Sequence, residues 1–320
     1  MAKLSIILPL TGNLKRLEDT LVSVLENRPE RSQVIVVLNQ PYDDPYELEG
    51  EVDFVQAPHG AGLVDCFDWG VAASKAPIVH LIAAGVEATP GWTDAALQHF
   101  ADPQVVAVAP LLIDRDNPER ILSAGLCFTP AGAIRRIGRG QRADRFAADA
   151  GALCGPDLLA AFYRKEAVES VEALSHGGSE LAAGVDLAMA LRHAGYDCVH
   201  EPACVATAAG DLFAASNAWR EGVASERLFR RWASVPAMDD WKRSWAAHVA
   251  LIAAECIQCP IRPSMIARVA GRVRGSLGFS SLAAARFGRQ SLGMNSDAVI
   301  RPPHFGAADS RGSLHSRAAG

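Results

Sequence analysis

Aromatic residues are scarce in this chain of 320 residues, at 7%, and only four are tyrosine, whereas alanine and glycine are plentiful. That composition argues against an all-β sandwich and for helices packed closely on a sheet, an α/β class. A G-x-G-x-x-G run after the first strand is also lacking, which speaks against a dinucleotide-binding turn. No apolar run reaches the ~20 residues needed to span a bilayer. The longest of the later ones, "WAAHVALIAAECI", is broken by His248 and Glu255. At the N-terminus, "MAKLSIILPL" has one lysine and too short an apolar stretch before Pro9 for a signal peptide, so it reads as a first strand and a cytoplasmic protein is expected. The seven cysteines are odd in number, scattered and mostly set in apolar runs, which fits reduced core residues rather than disulfides. Cys256 and Cys259 form a lone C-x-x-C with no second pair at zinc-site spacing.

Charge is unevenly spread. Residues 1–210 hold 16 Lys and Arg against 28 Asp and Glu, a balance of −12, so a chain of net charge −5 carries +7 in residues 211–320. A basic segment of that kind suits an anionic membrane surface or a phosphate-bearing acceptor. No nucleic-acid-binding motif accompanies it, so no nucleic-acid partner is expected.

Strand and helix patterns alternate along the chain. "LSIILPL" is a continuous apolar run, and the helix "LKRLEDTLVSVLEN" places Leu14, Leu17, Leu21, Val24 and Leu25 on one face. Strands follow at "QVIVVLN", "VDFVQA", "IVHLIAA" and "VVAVAPLLI", with a helix at "GLVDCFDWGVAASKA" and another opened by Thr89 and Pro90. Continuous apolar strands imply a parallel sheet covered on both faces, whose ligands collect at the carboxyl ends of the strands. Residues 125–145 read as a flexible or hairpin insertion, 152–170 and 180–195 as helices, "DCVHEP" and "CVATAA" as two strands, and 213–289 as mostly helical. Residues 290–320, rich in Ser, Gly, Arg and Pro, read as a disordered tail.

The order and spacing of these segments resemble a family 2 glycosyltransferase over residues 3–210. "SIILPLTGN" is similar to the family's first strand and Pro-Thr-x-Asn turn, and "VIVVLNQPYDDP" to its second strand and Asp-rich turn. "GAGLVDCFDWGVAASKAPIVHLI" resembles its Gly-x-x-x-x-x-Asn-x-Gly helix and following strand, with Gly62, Asp68 and Gly70 at the matching places. "TPGW" continues in register, "AAFYRKEAV" looks like the family's tyrosine-arginine strand, and "VDLAMALRHAGYDCVHEPACV" is similar to its late helix and strand. The resemblance implies a GT-A-type, Rossmann-like, mostly parallel sheet flanked by helices over residues 1–210, and the helical pattern beyond it makes 211–289 a C-terminal extension. It further implies a nucleotide sugar held by Pro9, Thr11, Asn39, Gly62 and Asp68. It also implies a Mg²⁺ or Mn²⁺ ion on the diphosphate, and a glycan or lipid-linked acceptor deprotonated by a carboxylate base.

The acids that such chemistry needs are missing. The family's Asp-x-Asp falls on Ala83, Ala84 and Gly85, its acidic pair on Ala183 and Gly184, its helix arginine on Ala190 and its late histidine on Thr207. Substitute carboxylates are few: Glu87 two residues past the metal triplet, Glu180 and Asp186 beside the base position, and Asp65 and Asp68 on one helical face. "RLFRRW" at 227–232 is similar to a processive-synthase signature but has Leu228 where glutamine belongs, and reads as a basic amphipathic helix. Two functions stay open: sugar transfer by a metal-independent site, and a pseudoenzyme that binds a nucleotide sugar or glycan, or acts as a scaffold, without turnover.

Overall fold

The computed structural model describes residues 2–147, 152–171, 179–213, 217–233, 235 and 243–277. In chain order the strands are β1 (Leu4–Leu10), β2 (Ser32–Leu38), β3 (Asp53–Gln56), β4 (Ile78–Ile82), β5 (Val86–Ala88), β6 (Val105–Asp114) and β7 (Ile121–Ser123), then β8 (Leu126–Phe128), β9 (Ile134–Arg136), β10 (Ala160–Arg164) and β11 (Asp197–Ala208). The helices are α1 (Leu14–Asn27), α2 (Leu63–Ala73), α3 (Asp94–His99), α4 (Lys165–Glu169), α5 (Glu180–His193), α6 (Ala218–Ala233), α7 (Trp245–Gln258) and α8 (Pro263–Leu277).

The main sheet runs β3-β2-β1-β4-β10-β6-β11-β5, with β7 on β6. Strands β1 to β4 pair in parallel, β10 is antiparallel to both its neighbours, and β11 is parallel to β6. All seven residues of β1 are buried, as continuous apolar strands in a covered sheet require. Each such Leu or Ile contributes about 1.5–3 kcal/mol of burial. Helix α1 presents Leu17, Leu21 and Val24 to the sheet, with Leu14 half in solvent at its first turn. β1 lies between β2 and β4, so the strand order reverses direction beside it. That switch point is where open α/β sheets leave a crevice at the carboxyl ends of their strands.

Several expectations change. Residues 160–164 do not form a helix: they are β10, paired with β4 at Phe162↔His80 and with β6 at Phe162↔Val108, and only Lys165–Glu169 turn helical. Leu and Ala favour a helix locally, but pairing inside the sheet overrides that preference. "DCVHEP" and "CVATAA" are one strand, β11, with a register irregularity between Glu201 and Val205 around Pro202, which has no N–H for the ladder. The stretch 125–145 contains the β8–β9 hairpin. Helix α3 starts at Asp94 rather than at Thr89 and Pro90, which sit in the preceding turn. The tail expected at 290–320 lies outside the described residues.

Candidate functional site

A cleft of about 390 Å³ lies among segments that follow β1, β4, β6 and β11, lined by Asn13, Arg16, Gly85, Glu87, Arg115 and Asp211 among others. Pro9, Thr11, Asn39, Gly62 and Asp68 are not in its lining. Asn13 caps α1 by accepting a hydrogen bond from the Lys15 amide, 2.9 Å. Arg16, one turn further, donates to Asp211 at 2.6 Å from the 3-10 turn Gly210–Phe213 that follows β11. Lys15 pairs with Asp19 at 3.0 Å, and Arg115 with Glu87 at 2.5 Å. The cleft thus carries three cations, each facing a carboxylate. Glu87, the nearest acid to the family's metal triplet, is engaged by Arg115 in this way.

Of the residues expected to hold a nucleotide, Pro9 is buried in β1 opposite Val37 and Thr11 is half-buried just beyond the strand. Asn39 donates to the Ala61 carbonyl at 2.7 Å and accepts the Gly60 amide on its own carbonyl, which ties the end of β2 to the start of α2. Gly62 is the N-cap of α2, and its amide donates to Asp65 at 3.1 Å, so Asp65 is a capping acid. Asp68 lies further along α2. Solvent reaches its side chain, but surrounding protein and the neighbouring Asp65 carboxylate raise its pKa to about 6.

Positions 83 to 85 are shaped against a side-chain metal ligand. Ala83 and Ala84 are buried. Gly85 has φ +98°, its amide donates to Thr20, and a side chain there would meet Arg16 Cδ at 3.3 Å and Leu212 at 3.6 Å. Arg16 and Leu212 thus fill the corner that the triplet leaves.

The second vacated position is closed too. Ala183 is buried, and a side chain on Gly184 would meet Leu126 at 3.1 Å and Leu158 at 3.2 Å. Asp186 is fully buried, where it accepts from Trp232 Nε1 at 2.8 Å and pairs with Arg231 at 3.1 Å. The "RLFRRW" segment therefore turns Arg231 and Trp232 inward and joins α6 to α5. Glu180 differs. It stands in the first turn of α5, three and four residues ahead of 183 and 184 and so on their helical face. Burial and then the Asp157 carboxylate raise its pKa, against the lowering effect of Arg136. Arg136 itself pairs with Asp157 at 2.6 Å and lies 4.8 Å over the Phe213 ring, next in sequence to the cleft residue Leu212.

No protein-family model matches this sequence, and no curated protein matches it by sequence. Solved structures share its fold. A mannosyltransferase from Pyrobaculum calidifontis, solved with GDP-Man and Mn²⁺, superposes with a TM-score of 0.52 over 86% of this chain and 87% of its own, at 16% identity. GalNAc-T7, solved with UDP, GalNAc and Mn²⁺, gives 0.50 over 80% of this chain and 57% of its own, at 11% identity. The fold is GT-A.

A divalent cation does not fit the GT-A cleft as this chain builds it. Among the described residues no three His, Cys, Asp or Glu side chains converge as a metal-binding group. Near the vacated triplet, Glu87 and Asp211 each face an arginine. Arg16, Arg115, Asp211 and Leu212 were not singled out by sequence reasoning. One signal was available: α1 has Lys15 and Arg16 in its first turn and no acid, against the helix dipole.

Proposed function

We propose that this chain is a family 2-like glycosyltransferase that moves a sugar from a nucleotide-sugar donor to a glycan or lipid-linked acceptor without a protein-held divalent cation. The carrying observation is the cleft at the β1/β4 switch point, where Arg16 reaches beside Gly85. In this reading the donor's diphosphate enters that cleft, while its nucleotide rests along Pro9, Thr11, Asn39, Gly62 and Asp68, which lie outside the cleft's lining. Arg16 exchanges Asp211 for the diphosphate, and its fixed fork of donors stabilises charge on the leaving group. Glu180 acts as the base that takes the acceptor hydroxyl's proton, from its place in the first turn of α5 just ahead of the vacated acid pair. The likeness to nucleotide-sugar transferases supports the donor class, and the basic C-terminal part supports work at the cytoplasmic side of a membrane.

A test is release of nucleoside diphosphate from UDP-, GDP- and dTDP-sugars with EDTA present. Glu180→Gln is expected to lower turnover roughly 10²–10⁴-fold while leaving donor binding in place. Turnover equal to wild type would remove Glu180 from the chemistry.

The second reading is a pseudoenzyme that binds the nucleotide sugar and stops there. The packing of Leu126 and Leu158 against Gly184 favours it, because that packing leaves no room for the family's acid pair. Donor binding with no release of diphosphate across a panel of acceptors would decide for it.

A further inference from the structure

Helices α7 and α8 are arranged inside out. A helix on a protein surface ordinarily turns its apolar stripe inward and its polar residues to water. In α7 the buried residues are polar, His248 and Glu255. His248 stacks flat on Phe229 at 3.6 Å and bonds Glu226 at 2.9 Å, while Glu255 takes two hydrogen bonds from Arg272, at 2.7 and 3.0 Å. Leu251 and Ile252 are half-buried, but other apolar side chains of the pair face water. Ile257 is 76% exposed, Ile261 in the turn between the helices 78%, and on α8 Ile266, Val273 and Leu277 are 58%, 56% and 75% exposed. Ile266, Val273 and Leu277 fall at i, i+7 and i+11, one stripe along α8. Opposite that stripe, Gly271 and Gly275 press against the backbone of α6, which fixes its direction.

Charge selects the occupant of this surface. Between Ser244 and Leu277 the sole acid is Glu255, which is buried against Arg272, and Arg262 and Arg274 are exposed. A two-fold contact with a second copy would bring these arginines together. Residues 278–320 hold five arginines and two aspartates, so they add no complementary charge. None of the described helices is long and apolar enough to cross a membrane. Apolar side chains ringed by cations, on helices too short to span, suit the headgroup layer of an anionic bilayer.

We propose that the α7–α8 hairpin is a membrane-docking surface, with Ile257, Ile261 and Ile266 entering the interface and Arg262 and Arg274 meeting lipid phosphates. This deepens the membrane part of the proposed function by naming the surface, and it is tested separately from sugar transfer, since binding to lipid needs neither donor nor base.

The experiment is co-sedimentation of the full chain with two vesicle types, phosphatidylcholine alone and phosphatidylcholine with about one-quarter phosphatidylglycerol. Wild type is expected to bind the anionic vesicles and to be released as NaCl rises from about 0.05 to 0.5 M. The variant carrying Ile257→Ser, Ile261→Ser and Ile266→Ser is expected to lose about tenfold or more in partitioning, and Arg262→Glu with Arg274→Glu a comparable amount. All five positions are largely in water, so unchanged melting temperatures show that the variants fold. Absence of wild-type binding, or equal binding by wild type and both variants, overturns the proposal. So does a wild-type dimer that the isoleucine variant breaks while vesicle binding stays the same. No sugar nucleotide is present in the assay, so failure of the transfer reading leaves each of these outcomes readable.

Discussion

At position 85 the backbone decides what chemistry the site can hold. With φ +98° and Arg16 beside it, Gly85 accepts a side chain only with strain. Gly85→Ala is expected to lower stability by about 1–3 kcal/mol, read from urea unfolding. The double variant Ala83→Asp, Gly85→Asp is expected to gain no tight Mn²⁺ site in calorimetry, because Ala83 is buried and Gly85 is pinned. Tight Mn²⁺ binding by that variant would show that the corner still has the shape of a metal site. Asp68 gives a pH test. A carboxyl whose folded pKa is raised adds stability below its ordinary value, and that contribution is lost as pH rises through about 6. Asp68→Asn should therefore melt higher than wild type at pH 8 but not at pH 4, and equal shifts at both would refute a raised pKa.

Among the elements, the parallel half of the sheet was legible because β1, β2 and β4 are continuous apolar runs separated by helical periods. β10 was legible only through the family resemblance, which makes "AAFYRKEAV" a strand, since on its own pattern "LLAAFYR" reads as helix. The vacated metal and base positions were also legible, from alanine and glycine standing where acids belong. What fills them was not. Leu126, Leu158 and Leu212 lie far along the chain from the residues they cover, and no local pattern joins them. The same distance hid the link between α6 and α7. Glu226 is buried and bonds His248 and Arg230 at 2.9 and 2.6 Å, and although burial alone pushes its pKa up, those partners hold it below the ordinary glutamate value. Glu226→Ala is expected to cost about 1–3 kcal/mol by taking away the acceptor that His248 and Arg230 bond to. The wild-type contribution is present above the ordinary glutamate pKa of about 4.3 and is lost as pH falls through the lower folded value. A Glu226→Gln variant should accordingly show a flatter loss of stability on acidification.

Over the whole molecule, the acidic N-terminal part carries the GT-A cleft and the basic C-terminal part carries an apolar, cationic outer surface. In the two proposals made above they meet different partners, a nucleotide sugar and an anionic lipid layer. The central claim is that the donor binds at the β1/β4 cleft with arginine rather than metal against its diphosphate. The most direct measurement is calorimetry of the full chain against UDP-, GDP- and dTDP-sugars in EDTA and in Mn²⁺, with wild type and Arg16→Ala. The expected result is one donor whose Kd agrees within about twofold in the two buffers and weakens about tenfold, ~1.4 kcal/mol, in Arg16→Ala. Binding that appears only with Mn²⁺, or an Arg16→Ala variant that binds as tightly as wild type, would contradict it.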